Sequence, residues 1–254
     1  MIPRLIDTHV SFGFWPWMDF SAITPGALIR NLQAEGIQEA WISSIESLLF
    51  PDVDIPDARL REAFQNHPQV KLVKTINPIL GNWRESLQTA IEVNGFHLVR
   101  IAPSYHLYPL LDWRVIELAE TLLRLNIPLI VQMRIEDERN QYPLLQVTPP
   151  PPEHIAHLAA LFPHLRILVL GALANHIPAI LSDNNNALCD ISFAESGTTV
   201  ESLLATVPPN RLLFGSHSPF FYTQASVRKL TGAAICGSAQ QDIAFRNARA
   251  FLPV

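Results

Sequence analysis

Five short segments of this chain close an apolar run with residues that can do chemistry. "LIDTHVSFG" sets Asp7, His9 and Ser11 two apart, so in an extended strand all three face one way. A carboxylate two residues from an imidazole can orient the ring and fix its tautomer. "HLVRIAPSYHLY" offers Arg100, Tyr105, His106 and Tyr108. "LIVQMRIEDER" puts Gln132, Arg134 and Glu136 on one face, with Asp137 and Arg139 beside them. "ALCDIS" supplies Asp190 and "RLLFGSHSP" supplies His217. Imidazoles move protons near neutral pH, guanidinium groups clamp carboxylates or phosphates, and tyrosine hydroxyls can donate to a developing oxyanion. Each also has a plain structural reading. A strand-end histidine can simply hold a loop, "EDER" can be a solvated charge cluster, and Tyr105 and Tyr108 can be rim packing. What favours function is convergence: titratable groups gather at the same end of several runs.

Those groups need elements to position them. Eight apolar runs, "RLIDTH", "EAWISS", "VKLVKTI", "HLVRIA", "PLIVQM", "RILVLG", "ALCDIS" and "RLLFGS", lack strict polar alternation, as strands covered on both faces do. Between them, stretches such as "PGALIRNLQAEG" and "WRVIELAETLLRLN" repeat apolar residues at helical spacing. This alternation predicts an α/β fold, a (β/α)8 TIM barrel occupying residues 1–254 as one domain, with a doubly wound open sheet as the alternative. The strands are expected to end near His9, Ser43, Ile76, Ile101, Gln132, Leu170, Ile191 and Phe214. In a closed barrel the first and last strands are neighbours, so His9 and His217 are expected within about one side-chain length of each other. "TPPPP", Thr148 to Pro152, reads as a stiff linker or a helix start.

Composition removes several function classes. The net charge of -5 comes with no basic stripe, which excludes a nucleic-acid binder. No apolar run approaches ~20 residues and the opening "MIPRLIDTHV" does not resemble a secretory leader, so no membrane association and a cytoplasmic protein are expected. Cys189 and Cys236 stand in no metal-ligating spacing and read as reduced. "FGFWPWMDF" is strongly aromatic for the loop after a first strand; it could cap a pocket, join a homodimer interface or be core.

Taken together, the opening D-x-H and the closing FGS-x-x-P some two hundred residues later resemble the amidohydrolase superfamily, in its amidohydrolase 2 branch of metal-dependent hydrolases and decarboxylases. "LIDTHVSFG", "GFHLVRIAPSYHLY", "NIPLIVQM", "LRILVLGALAN" and "RLLFGSHSP" carry the likeness. The resemblance implies a barrel with a divalent metal such as zinc. The ligand pattern departs from it: Ser11 stands where a second opening histidine is usual, Gln132 and Gly171 where histidines end the fifth and sixth strands, and His217 where an aspartate ends the eighth. A degenerate metal site follows, with no tight binuclear centre expected and only a weak site from His9 and His217 left open.

The expected function is therefore a hydrolase acting on a small, anionic lactone, ester or amide at a remodelled site that need not hold a metal. His217 would replace the missing aspartate as general base, with His9 beside it and His106 as partner acid or base. Arg100 and Arg134 would clamp the anion, and Tyr105, Gln132, Glu136 and Asp190 would complete the substrate contacts. The alternatives are a pseudoenzyme that binds a small acidic ligand without turnover, and a decarboxylase-like lyase.

Overall fold

A computed structural model describes residues 4–20, 22–139, 141–196 and 198–252. The first three residues of the opening segment lie outside this set. Eight strands form one parallel sheet in sequential order: β1 (Leu5–Phe12), β2 (Ile37–Ser44), β3 (Val70–Thr75), β4 (Val99–Ile101), β5 (Leu129–Gln132), β6 (Ile167–Leu170), β7 (Ala187–Asp190) and β8 (Leu212–Leu213). The expected barrel is the observed one, and the strand ends fall within three residues of those read from the sequence. β8 is short, so the seam to β1 continues through the segment after it. Thr8 N–H donates to Phe214 O at 3.0 Å, His217 N–H to His9 O at 2.8 Å and Ser11 N–H to Ser218 O at 2.8 Å.

Helices fill the outer layer: α1 (Pro25–Ala34), α2 (Asp54–Phe64), α3 (Trp83–Glu92), α4 (Trp113–Arg124), α5 (Pro152–Leu161), α6 (Ile177–Leu181), α7 (Thr199–Leu204), α8 (Thr223–Thr231), α9 (Gly237–Gln241) and α10 (Asn247–Phe251). Their starts follow local chemistry. Thr24 and Asp112 cap α1 and α4 through side-chain acceptors, and Pro152 opens α5 at the end of the proline run. Among the described residues no helix is long and apolar enough to cross a membrane.

The barrel interior has two characters. Its lower part is apolar, with Ile6, Trp41, Val73, Leu98, Ile130 and Leu213 in one cluster closed from below by Ala248 and Phe251 of α10. Two residues further along the strands, the same inward parity brings in Ser43, Thr75, Arg100, Gln132 and Asp190, all buried. The upper barrel is thus polar and dry, and each of its groups needs a partner within the chain.

Above this layer the aromatic segment after β1 forms a cap. Trp15 is buried against Ile45, Leu48, Ala102 and Ile135, with Trp17 at 5.1 Å and Phe220 at 5.9 Å. Glu46 pins the loop by accepting from Phe14 N–H at 3.0 Å.

Gly171, just after β6, has φ +78, and an added Cβ would lie 2.9 Å from Arg134 O and 3.1 Å from Arg134 N. Gly171→Ala combines a left-handed conformation with a backbone clash, so urea denaturation should show a loss of roughly 2 kcal/mol or more. A loss below about 0.5 kcal/mol would mean that this close approach is not maintained.

Candidate functional site

His9 is the hub of the polar layer. Its Nδ1 lies 2.8 Å from Asp190 Oδ2 and 3.1 Å from Ser192 Oγ. Its Nε2 lies 2.9 Å from His217 Nδ1 and 3.1 Å from Gln132 Nε2. The two rings are 4.3 Å apart between centroids. His217 Nε2 reaches Ile135 O at 2.6 Å, and a carbonyl can only accept, so this nitrogen carries the His217 proton. The carboxylate of Asp190 likewise assigns a proton to His9 Nδ1. His9 Nε2 then either donates to His217 Nδ1 or accepts from the Gln132 amide. Those two arrangements differ by one proton on His9. Gln132 Nε2 also donates to Arg134 O at 2.6 Å, while its Oε1 has no partner.

Burial dictates the electrostatics. Desolvation, with His9 beside it, holds the His217 ring well below the ordinary histidine range, so this ring is neutral. Burial would raise the Asp190 carboxyl, but His9, Ser192 and the Gly171 N–H at 2.9 Å outweigh it and hold the group ionised. Asp7 has weaker support. Its Oδ1 accepts from the amides of His9 at 3.1 Å and Ser216 at 2.9 Å, Oδ2 has no partner, and desolvation raises it to about 6. His217 sits at φ 57, a left-handed conformation that its ring and backbone contacts hold in place. Gly215 leaves room for the cluster, since a Cβ there would lie 2.5 Å from Asp190 Oδ2.

The structure brings His9, His217, Asp190 and Gln132 together, and it seals them: His9 is 1% exposed and the other three 0%. Phe193, Phe220 and Phe221 surround the His217 ring at 4.9 to 5.0 Å. The other sequence candidates lie elsewhere. His106 does not join the pair; its Nε2 is committed to Ser47 O at 2.9 Å, and burial lowers it to about 4. Arg100 is fully buried and donates to Ser43 Oγ, Ser44 O and Thr75 Oγ1 at 2.7 to 2.8 Å. Burial lowers it to about 10, so it stays charged at neutral pH. Arg134 donates to Glu138 at 2.8 Å and to Gly171 O at 3.1 Å. Both guanidinium groups are thus engaged within the chain, because neighbouring strands and the loop after β5 present acceptors to them. Tyr105 packs on Trp15 at 6.2 Å, and its hydroxyl is pushed up by burial and by Glu136. Tyr108 is buried 6.3 Å from His106.

Glu136 has a different setting. It follows Ile135, the residue that receives His217, and it lines a cavity of about 360 Å³ at the barrel mouth. Desolvation raises its carboxyl above the ordinary range, partly offset by the Trp15 indole N–H. That N–H is buried and faces Glu136 without closing a well-formed hydrogen bond. Met18, Phe220, Tyr222, Ser226, Glu195 and Lys229 share the cavity wall. Lys229 Nζ is tethered to Ile191 O at 2.9 Å and Ser192 O at 2.8 Å. The polar residues following Asp190 and the aromatic run following His217 were not read as site residues from the sequence. Their position just beyond strands that end on functional groups is the signal that marks them.

The histidine pair does not fit a metal ion. Two zinc–nitrogen bonds at a tetrahedral angle hold their nitrogens about 3.3 Å or more apart, whereas His9 Nε2 and His217 Nδ1 are 2.9 Å apart. The remaining His9 nitrogen is bonded to Asp190, the remaining His217 nitrogen to Ile135, and Gly171 offers no side chain. Among the described residues no three His, Cys, Asp or Glu side chains form a group that could hold a metal ion.

Asp7 gives the layer a pH signature. With a carboxyl at about 6 in the folded chain and 3.8 as the ordinary value, the folded state keeps the proton longer than the unfolded one. Its stabilisation is complete below pH ~4 and is lost as pH rises through ~6, a change of up to about 3 kcal/mol. Asp7→Asn cannot titrate. Urea melts at pH 4 and pH 8 should show the stability difference between parent and variant moving by about that amount in favour of the variant. A difference that stays constant would contradict a buried, poorly supported carboxyl.

No protein-family model matches the chain, and no curated protein matches it. Solved structures do. A candidate amidohydrolase from Staphylococcus aureus aligns with a TM-score of 0.77 at 12% identity, covering 98% of this chain and 99% of that one. The 2,6-dihydroxybenzoate decarboxylase from Rhizobium aligns at 0.74 and 14% identity over 98% of both chains. The 5-carboxyvanillate decarboxylase from Novosphingobium aromaticivorans, solved with manganese and 4-hydroxy-3-methoxy-5-nitrobenzoic acid, aligns at 0.75 and 14% identity over 98% of this chain and 96% of that one. At these identities the likeness establishes architecture: the chain has the (β/α)8 barrel fold on which these proteins are built.

Proposed function

We propose that the chain is a metal-independent hydrolase of the amidohydrolase type, acting on a small lactone, ester or amide held at the barrel mouth, with Glu136 as its acid–base group. The observation that carries this reading is the setting of Glu136. It is a carboxylate 8% exposed, raised by desolvation, in the wall of a cavity of about 360 Å³ at the C-terminal end of the strands. Barrel enzymes build their sites at that end, and a carboxyl raised above the ordinary carboxylate range by desolvation is suited to take and return a proton. Glu136 would accept a proton from water as it attacks the carbonyl, then deliver it to the leaving group. Lys229, a cation in the same wall, would favour the developing oxyanion. The D-x-H and FGS-x-x-P segments, together with the fold, support membership of the amidohydrolase type.

On this reading His9, His217, Asp190 and Gln132 act as positioning residues, because their hydrogen bonds run to one another, to Ser192 or to the backbone. The same self-satisfied cluster favours a second reading, a barrel that binds a small molecule without turnover.

The test is a panel of nitrophenyl esters, lactones and anilides, assayed before and after chelation. Turnover should survive chelation, and Glu136→Gln should lower kcat about 10²- to 10⁴-fold with little change in urea stability. Binding of panel members without turnover would favour the second reading. Turnover abolished by chelation and restored by metal would overturn both.

A further inference from the structure

We propose that the mouth cavity selects organic cations: the ligand it takes carries an ammonium group on a compact apolar body. This deepens the proposed function by naming a substrate class for the same cavity, and it rests on that reading only for the statement that such a molecule is turned over.

The charge in the cavity wall runs opposite to the anion preference read from the sequence. That preference rested on Arg100 and Arg134. Arg100 is fully buried among Ser43, Ser44 and Thr75, and Arg134 is held by Glu138 and the Gly171 carbonyl. Neither lines the cavity. Its charged lining is Glu136, Asp137, Glu195 and Lys229. Asp137 is neutralised by Arg139, which it holds at 2.6 Å, and that partner keeps its carboxyl down at about 2. Lys229 is tethered in the wall, its Nζ donating to the carbonyls of Ile191 and Ser192. The lining therefore carries two carboxylates, Glu136 and Glu195, against the one tethered ammonium of Lys229.

The uncharged part of the wall suits the same ligand. Phe220, Phe221 and Tyr222 line the wall with aromatic rings, Met18 adds a polarisable thioether, and Tyr222 is 88% exposed. Rings beside carboxylates attract an ammonium by the ring quadrupole and by direct charge, and they exclude a carboxylate for the same two reasons. The rings are also well supported: Phe220 stacks on His217 at 4.9 Å, and Phe221 meets Phe193 at 4.8 Å. The sealed cluster below thus provides a rigid base for the cage.

Three probes of nearly equal shape separate charge from volume: choline, 3,3-dimethylbutan-1-ol and 3,3-dimethylbutanoate, each titrated calorimetrically into the full chain at low and at physiological salt. Choline should bind about tenfold tighter than the alcohol, and the carboxylate weakest of the three. Glu195→Gln should weaken choline about three- to fivefold and leave the alcohol unchanged, while Tyr222→Leu should weaken choline more than the alcohol. A carboxylate that binds as tightly as choline, equal loss of choline and alcohol in Glu195→Gln, or no binding of any probe at millimolar concentration would overturn the proposal. The outcome is independent of catalysis. A chain that binds choline selectively and hydrolyses nothing keeps this inference and loses the hydrolase, whereas a chelator-resistant hydrolase that prefers the carboxylate does the reverse.

Discussion

The hydrogen bond between His9 and Asp190, 2.8 Å long and fully dry, is the contact on which the upper barrel depends. A buried carboxylate is tolerated only with strong partners, and Asp190 has three: His9, Ser192 and the Gly171 amide. Each partner belongs to a different part of the seam or the polar layer. Gly171 ends β6 with a left-handed turn, Ser192 follows β7, and His9 stands on β1 across the closure. Satisfying one charge therefore fixes how three strand ends meet. Gly215 is part of the same constraint, because a side chain there would occupy the space Asp190 needs.

From this contact the order runs outward. His9 meets His217, His217 donates to the carbonyl of Ile135, and the next residue along the chain is Glu136. Glu136, the carboxylate of the proposed site, thus follows directly on the residue that ends a hydrogen-bonded chain from Asp190. The aromatic cap rests on the same residues, since Trp15 packs on Ile135 and Phe220 stacks on His217. The polar layer spends its groups on hydrogen bonds within the chain and lies directly beneath the mouth.

Much of this was legible in the sequence. The eight apolar runs gave their own ends because strands covered on both faces must stop where polar residues begin. The meeting of His9 and His217 followed from closure alone, since the first and last strands of a barrel are neighbours. Gln132 and Asp190 join the cluster because strand parity turns both inward. What could not be read was partner choice. Arg100 and Arg134 carry long side chains whose direction depends on acceptors from distant segments, Ser43, Thr75, Glu138 and the Gly171 carbonyl. The role of Ile135 is a backbone role, invisible in side-chain chemistry. Lys229 comes from α8, and nothing near it in the chain announces that its ammonium reaches the carbonyls after β7.

The polar groups at the strand ends, His9 and His217 among them, are occupied by the chain's own hydrogen bonds. Nitrogen-15 NMR of histidine-labelled protein, recorded from pH 5 to 8 with and without zinc or manganese, tests it most directly. The account predicts that His217 remains a neutral ring protonated on Nε2 throughout, and that neither His9 nor His217 responds to metal. Titration of His217 near pH 6.5, or a metal-induced shift or broadening of both rings, would contradict it.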